Sequence, residues 1–276
     1  MALPYEIITS RQNNLLVETH KLTDRKHRNR TGNFRFDGVK LTAEALLRDV
    51  ELVAVLLRQS DAEAVTARIR SLSGKEFPDG TRVVCVADHV FDSLSEESAP
   101  EGVICVAKMQ GGWHGVWQSD MDMPSLEERI MLLESVRDPS NLGAIVRSAA
   151  ALGVDRLILS ADCADIYSAK TVRASMGTLF SQRIDRTDAL TDYIDHLRAD
   201  GRRVFAAALD ESAEQLGGFA IQTGDCAVIG NEGHGLSSAV IKACGNTVYI
   251  PMTDRAESLN AAVAAALLMW EFGRKG

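Results

Sequence analysis

The stretch VIGNEGHGLS, residues 228–237, sets Gly230, Gly233 and Gly235 around one carboxylate, Glu232, directly after a short apolar run. Three glycines within six residues permit positive φ angles and let another group approach the main chain closely, which side chains would prevent. The loop therefore reads as a binding surface. Its order is G-x-x-G-x-G rather than the G-x-G-x-x-G of dinucleotide sites, and no lysine follows as in a phosphate-gripping loop. A ligand other than a dinucleotide pyrophosphate is expected. A second candidate lies near the front, in HKLTDRKHRNRTGNFRFDGVK, residues 20–40. It carries Lys21, Arg25, Lys26, Arg28, Arg30, Arg35 and Lys40 against Asp24 and Asp37, which is +5 locally and −13 elsewhere in a chain of net charge −8. Most charge runs are solvated helix ends or flexible arms. In an acidic protein, a cluster this dense is also a candidate phosphate footprint, with Lys21, Arg25, Lys26, Arg28 and Arg30 as its candidate nucleic-acid contacts.

The bulk composition is that of a soluble globular protein: 276 residues, 46% hydrophobic and 25% charged, with room for two domains. Cys85, Cys105, Cys163, Cys226 and Cys244 lie mostly in apolar runs and form no C-x-x-C pair, so they read as buried reduced thiols, and no metal is expected. The first residues, MALPYEIITSRQNN, lack an apolar signal core, and the run AAVAAALLM at 261–269 is too short to span a bilayer. A cytoplasmic protein without a membrane partner is expected.

The elements that must position these residues alternate in type. From Thr42 the pattern predicts helix, strand (52–57), helix (62–72), strand (82–87), short helix and strand (102–108), a sheet with helices packed on it. The stretch KMQGGWHGVWQSDMDMPS, 108–125, has no sustained period, and the boundaries are set at 1–108, a linker over 109–125, and 126–276. Trp113 and Trp117 are candidates for base stacking, but tethering the linker is the favoured role. The alternation restarts at 129–136, followed by a helix near 142–152, a strand at 156–160 and a helix around 169–174. Strands near 182–185, 203–209 and 226–230, a helix at 188–199, VYIP at 248–251 and a last helix at 259–272 complete an α/β domain with a mostly parallel sheet. The glycine loop then falls at the carboxyl end of a strand, where open sheets of this kind bind ligands.

Three segments carry a family resemblance: DPSNLGAIVRSAAALGV (138–154), VIGNEGHGLS, and YIPMTDRAESLNAAVAAALLMWEF (249–272). In that order they resemble the three signature motifs of the TrmH, or SpoU, branch of the SPOUT RNA 2′-O-ribose methyltransferases. At the front, S-R-x-N, K-L, R-K-x-R and F-x-x-D-G-V-K-L resemble the small ribosomal-protein-like RNA-binding module of rRNA-directed members, with Asp37 where the family usually has glutamate.

The resemblance implies a C-terminal α/β domain with a deep trefoil knot, preceded by a small α/β substrate-binding domain. It further implies S-adenosyl-L-methionine as cofactor and a homodimer whose site draws on both subunits. Leu209, Gly230, Asn231, Gly235, Ile250 and Leu259 fall at cofactor-binding positions. Arg147, Asn141, Glu232, Ser258 and Asn260 fall at catalytic ones: Arg147 engages the ribose 2′-oxygen, Asn141 and Glu232 orient it and hold the loop, and Ser258 and Asn260 shape the pocket. Taken singly, each has a plainer reading. Asn141 and Ser258 stand where helices begin and fit N-caps, Arg147 fits an exposed helix arginine, and Glu232 fits a partner of its own loop's amides. His234 fills a variable position and receives no role. The front module favours rRNA as substrate. The alternatives are a tRNA 2′-O-methyltransferase and an inactive RNA-binding protein of the same fold. A Rossmann-type nucleotide enzyme ranks last, because no glycine fingerprint follows an early strand.

Overall fold

The computed structural model describes residues 5–97, 99–111, 114–117, 123–210, 212–231 and 233–274. In chain order the first elements are β1 (Glu6–Ile8), α1 (Asn14–Lys21), α2 (Arg25–Thr31), β2 (Asn33–Asp37), α3 (Val39–Leu47), β3 (Leu52–Arg58), α4 (Ala62–Ser73), β4 (Arg82–Val86), α5 (Asp88–Leu94) and β5 (Val103–Lys108). They are followed by β6 (His114–Val116), β7 (Ile130–Leu133), α6 (Pro139–Leu152), β8 (Arg156–Ser160), α7 (Ala169–Ala174), β9 (Arg183–Thr187) and α8 (Leu190–Ala199). The last are β10 (Val204–Ala207), β11 (Glu214–Gln215), β12 (Cys226–Ile229), α9 (Ser238–Cys244), β13 (Gly245–Tyr249) and α10 (Ala261–Gly273). Among the described residues no helix is long and apolar enough to cross a membrane.

The chain divides into two compact units. One comprises Met1–Gln110 with Tyr167–Phe180, and the other Gly111–Ile166 with Ser181–Gly276. The first unit is a five-stranded mixed sheet in the order β1-β4-β3-β5-β2, in which β5 runs antiparallel to both of its neighbours. Apolar residues of β3, β4 and β5 pack under α1 and α5 through Leu16, Val90, Phe91 and Leu94. The short segment Tyr167–Phe180, placed by the sequence reading in the catalytic half, belongs to this unit. Its aromatic side chains explain why: Tyr167 lies 4.7 Å from Phe34 and Phe180 lies 5.3 Å from Phe36, ring centre to ring centre. Gly177, with φ +89, brings its backbone so close to α3 that a Cβ there would sit 2.7 Å from that of Glu44.

The second unit is an eight-stranded sheet in the order β11-β13-β10-β12-β7-β8-β9-β6, with every adjacent pair parallel. β7, β8 and β12 are buried along their whole length, as strands covered on both faces must be. From β7 the chain builds outward through β8 and β9. It then crosses to the other side of β7 to lay down β10, inserts β12 between β10 and β7, and adds β13 outside β10. The strand order therefore switches direction between β7 and β12, the place where open α/β sheets form ligand crevices.

The expected linker is partly structured. β6 pairs with β9, and Trp117 is buried against Tyr193, with ring centres 4.8 Å apart, so this tryptophan anchors the segment rather than offering a face for bases. Trp113 lies outside the described residues. All five cysteines are buried and unpaired, and burial pushes the thiols of Cys105, Cys226 and Cys244 up to about 12.

Candidate active site

Strand register gathers the motif residues. Ile229 pairs with Leu133, Val228 with Ala206, and Ala207 with Val248, so β7, β12, β10 and β13 end at one level of the sheet. The residues that follow those ends are therefore neighbours along one edge: Glu134 and Ser135 after β7, Gly230 and Asn231 after β12, Leu209 two residues past β10, and Ile250 after β13. Between the β7 and β12 loops lies a cleft of about 190 Å³, lined by Glu134, Ser135, Arg137, Asn231, His234 and Ser237 among others.

The glycine loop is held mainly by its own backbone. Asn231 and Gly235 exchange two backbone hydrogen bonds of 3.0 Å each. The Asn231 Oδ1 accepts from the N–H groups of Gly233 and His234, and its Nδ2 donates to the Ser135 carbonyl at 2.8 Å. The Asn231 side chain thus closes the loop and ties it to the end of β7. Only Gly235 of the three glycines has positive φ, +67. Gly230 is required for a different reason: a Cβ there would lie 2.4 Å from the Gly235 carbonyl carbon and 2.5 Å from the Leu236 nitrogen. The space it leaves is filled by the chain itself, not kept open for a ligand. Glu232 lies outside the described residues.

The β7 loop has a framework that no motif announced. Ser135 adopts φ +55, a conformation that non-glycine residues rarely take. Its N–H donates to Ser160 Oγ and its hydroxyl donates to Asp162 at 2.5 Å, while Arg137 pairs with the same carboxylate at 3.0 Å. Burial alone would raise the Asp162 pKa. The hydrogen bonds from Ser135, Ser160 and Arg137 outweigh it and hold the carboxyl down at about 2. Glu134 accepts from both the N–H and the hydroxyl of Ser237, the residue that caps α9.

The first and third motifs meet at two helix starts. Asp138 is the N-cap of α6, accepting from Ser140 and Asn141, with Pro139 in the first turn. Asn141 is therefore not a cap, and its side chain reaches across to α10, where Asn260 Nδ2 donates to Asn141 Oδ1 at 2.9 Å. Asn260 also caps α10 through its Oδ1, which accepts from Ala262 and Val263. Ser258, read as a possible cap, stands exposed in the irregular stretch before it and makes no hydrogen bond among the described residues. Arg147 is exposed on α6, and no hydrogen bond or ion pair engages its side chain among the described residues. At about 100° per residue, six residues turn the helix by roughly 240° from Asn141. The two side chains point to different faces, and no hydrogen bond joins them among the described residues.

Leu209 is 84% exposed, an unusual state for a leucine at the end of a buried strand. Among the described residues no hydrogen bond engages the backbone N–H or C=O of Gly230, Ile250 or Leu259, and Gly230 is buried. Buried backbone groups are nearly always paired. An uncovered apolar side chain beside unpaired backbone donors and acceptors fits a ligand with a flat apolar face and a polar edge.

The basic segment of the first unit is ordered. Asp24 caps α2, and Gly32, with φ +65, ends it. Arg28 is buried and donates to the carbonyls of Leu22 and Thr23 at 2.7 and 2.8 Å, closing the end of α1. Arg35 is also buried, paired with Asp37 and bonded to the Leu94 carbonyl. The expectation that Arg28 contacts RNA is therefore corrected: it holds the chain. Lys21, Arg25, Lys26 and Arg30 remain at the surface.

Comparison with known proteins decides the family. Residues 128–270 match the SpoU rRNA Methylase family, and residues 13–105 match an MRM3-like substrate binding domain. The chain belongs to the SpoU rRNA methylase family. Similar proteins include the 23S rRNA (guanosine(2553)-2′-O)-methyltransferase RlmP of Bacillus subtilis, 29% identical over 95% of this chain and 97% of that protein. A 23S rRNA (uridine(2479)-2′-O)-methyltransferase of Streptomyces viridochromogenes is 34% identical over 71% of this chain and 68% of its own. Among solved structures, an AdoMet-bound rRNA methyltransferase from Sinorhizobium meliloti superposes with a TM-score of 0.80 at 28% identity, covering 97% of each chain. AviRb from Streptomyces viridochromogenes, in complex with AdoMet, gives 0.79 at 29% identity, covering 95% of this chain and 97% of its own.

Proposed function

We propose that this SpoU protein is an S-adenosylmethionine-dependent methyltransferase acting on a ribose 2′-hydroxyl of rRNA, with the second unit as its catalytic domain and the first as its RNA-binding domain. The observation that carries the reading is the convergence of the motif segments. Register brings Leu209, Gly230 and Ile250 to one edge of the sheet, and Asn260 bonds Asn141 across two helices. The insertion of β12 between β7 and β10 supports the knot implied by the family.

S-adenosylmethionine supplies a methyl group on a sulfonium, an electrophile that needs no further activation. The backbone groups of Gly230, Ile250 and Leu259 would hold it, and Leu209 would cover an apolar face. What the chain adds is positioning, which contributes on the order of 7–11 kcal/mol in well-oriented reactions, and stabilisation of negative charge on the attacking oxygen. Arg147 suits the second task. A guanidinium stays protonated in proteins, so it stabilises a developing alkoxide rather than removing the proton as a base. Its exposure on a single chain supports a site completed by RNA or by a second copy.

The test is transfer of labelled methyl from S-adenosylmethionine to rRNA and, in parallel, to tRNA, with the ribose mark mapped. Transfer to rRNA is expected, and Arg147→Ala is expected to slow it by a factor on the order of a hundred to a thousand, as for loss of one transition-state donor. Cofactor affinity should stay close to that of the parent. Transfer to tRNA alone would overturn the rRNA assignment, and a variant working at the parent rate would remove Arg147 from the mechanism.

A further inference from the structure

The first unit carries a cleft that no motif residue of the methyltransferase unit lines. It lies between α1 and α5 and encloses about 370 Å³, within the range of small-ligand pockets. Its floor is apolar, formed by Leu16, Val90 and Leu94, each buried in the core of the unit. Its rim is cationic. Helical spacing puts His20 four residues beyond Leu16 and Lys21 four beyond Val17, so both stand over the apolar row. Arg11 comes from the turn before α1 and is anchored by its bond to the His89 carbonyl at 3.3 Å.

Among the described residues lining the cleft none is acidic, in a protein whose net charge is −8. Lys21 does pair with Glu18 at 2.7 Å, but both side chains are exposed, and such pairs exchange readily for another anion. The wall is stiff, because buried Arg35 donates to the Leu94 carbonyl at 3.1 Å and fixes the end of α5. Next in sequence, α2 presents Arg25, Lys26 and Arg30 to solvent.

We propose that this cleft receives one unstacked nucleobase of single-stranded RNA, with the flanking phosphates on Arg11 and Lys21; this rests on the reading of the first unit as the RNA-binding domain. Apolar walls suit the faces of a base, and a histidine ring or a guanidinium plane stacks on one. An RNA duplex offers neither free face, so the cleft selects loops, bulges or ends. The same chemistry makes the site tolerant of base identity, because each base has a π-face.

The experiment uses the full chain and two probes, a mixed-sequence single-stranded RNA octamer and the duplex of the same sequence, titrated over a range of salt. Ser93→Phe fills the mouth without changing charge, and His20→Ala removes the stacking ring without filling anything. The parent is expected to prefer the single strand. Each variant should weaken single-strand binding about ten-fold or more while leaving duplex binding unchanged. Arg11→Ala and Lys21→Ala should each lower the salt slope by roughly 0.7, the share of one phosphate contact on a single strand. A combined Arg25→Ala, Lys26→Ala and Arg30→Ala chain separates the two levels of the argument. If it flattens the salt slope while Ser93→Phe and His20→Ala bind as the parent does, the RNA-binding reading stands and the cleft proposal is overturned. If neither set of changes alters binding, both fail.

Discussion

At the residue scale, the three loop glycines are not equivalent, although their spacing presents them as a set. Gly230 has no room for a methyl group, because its Cβ would fall 2.4 Å from the backbone of Gly235. Gly235 has open space but φ +67, a strain of roughly 1–2 kcal/mol for an L side chain. Gly233 has neither constraint, its nearest neighbour being Asn231 Oδ1 at 3.5 Å. Alanine substitution is therefore expected to be most damaging at position 230, moderate at 235 and close to neutral at 233. Thermal unfolding and calorimetric titration with S-adenosylmethionine measure the series. Gly230→Ala should lose both stability and cofactor affinity, and a Gly230→Ala chain that unfolds at the parent temperature would show that the loop does not need this close approach. The sequence showed the glycines but not why each is needed. Bare backbone is visible in a string of letters; which atoms it approaches is not, because that contact forms only when the loop folds back on itself. The same holds for Asn141 and Asn260, whose bond joins positions 119 residues apart.

At the scale of elements, hydrophobic periodicity found α3, α4, α6 and α8, each with an apolar face, whereas the sequence reading named neither α1 and α2, which precede its start at Thr42, nor the short α9. α2, RKHRNRT, buries His27 and Arg28 rather than any aliphatic residue, so it is defined by its caps, Asp24 and Gly32. β6 has three residues in a stretch rich in glycine and methionine, too few to show a period. α10 is the opposite case. It is apolar nearly all round, which gives a sequence reading no direction for its faces, and a helix of that kind is normally covered on every side. Here Ala261, Ala265, Leu268 and Met269 are buried, while Val263, Leu267 and Trp270 form a second stripe at helical spacing that is 48%, 40% and 60% exposed. A second copy of the chain is the proposed cover. The expected mass in sedimentation at micromolar concentration is twice the 30.0 kDa of one chain. Leu267→Glu with Trp270→Glu should give monomers that stay folded but lose methyl transfer, because the site is proposed to draw on both subunits. A parent protein that sediments only as a monomer would contradict this.

At the scale of the whole molecule, the sequence reads as two alternating patterns separated by an aperiodic stretch, whereas the folded chain divides into units that are not continuous in sequence. Residues 128–270 match one family continuously, yet Tyr167–Phe180 inside that range completes the other unit. A linear reading cannot see this, because membership is decided by packing: Tyr167, Val172, Leu179 and Phe180 are all buried in the folded chain. Burying side chains of this size stabilises by roughly 1.5–3 kcal/mol each. The chain consequently passes between the units three times, after Gln110, after Ile166 and after Phe180. The first unit is therefore not a bead that can be removed. A chain cut to residues 126–276 keeps all three methyltransferase motifs but leaves Tyr167 and Phe180 without the Phe34 and Phe36 rings they pack against. It is expected to aggregate or to bind a hydrophobic dye strongly, and the full chain to do neither. Phe34→Ala in the full chain is the milder form of the same test. It should lower stability by about 3–5 kcal/mol, the usual cost of removing a buried phenylalanine, and open the 167–180 segment to protease before any other part of the second half. If residues 126–276 alone give a soluble, cooperatively unfolding protein, the segment does not depend on the first unit, and the family domain folds as its sequence boundaries suggest.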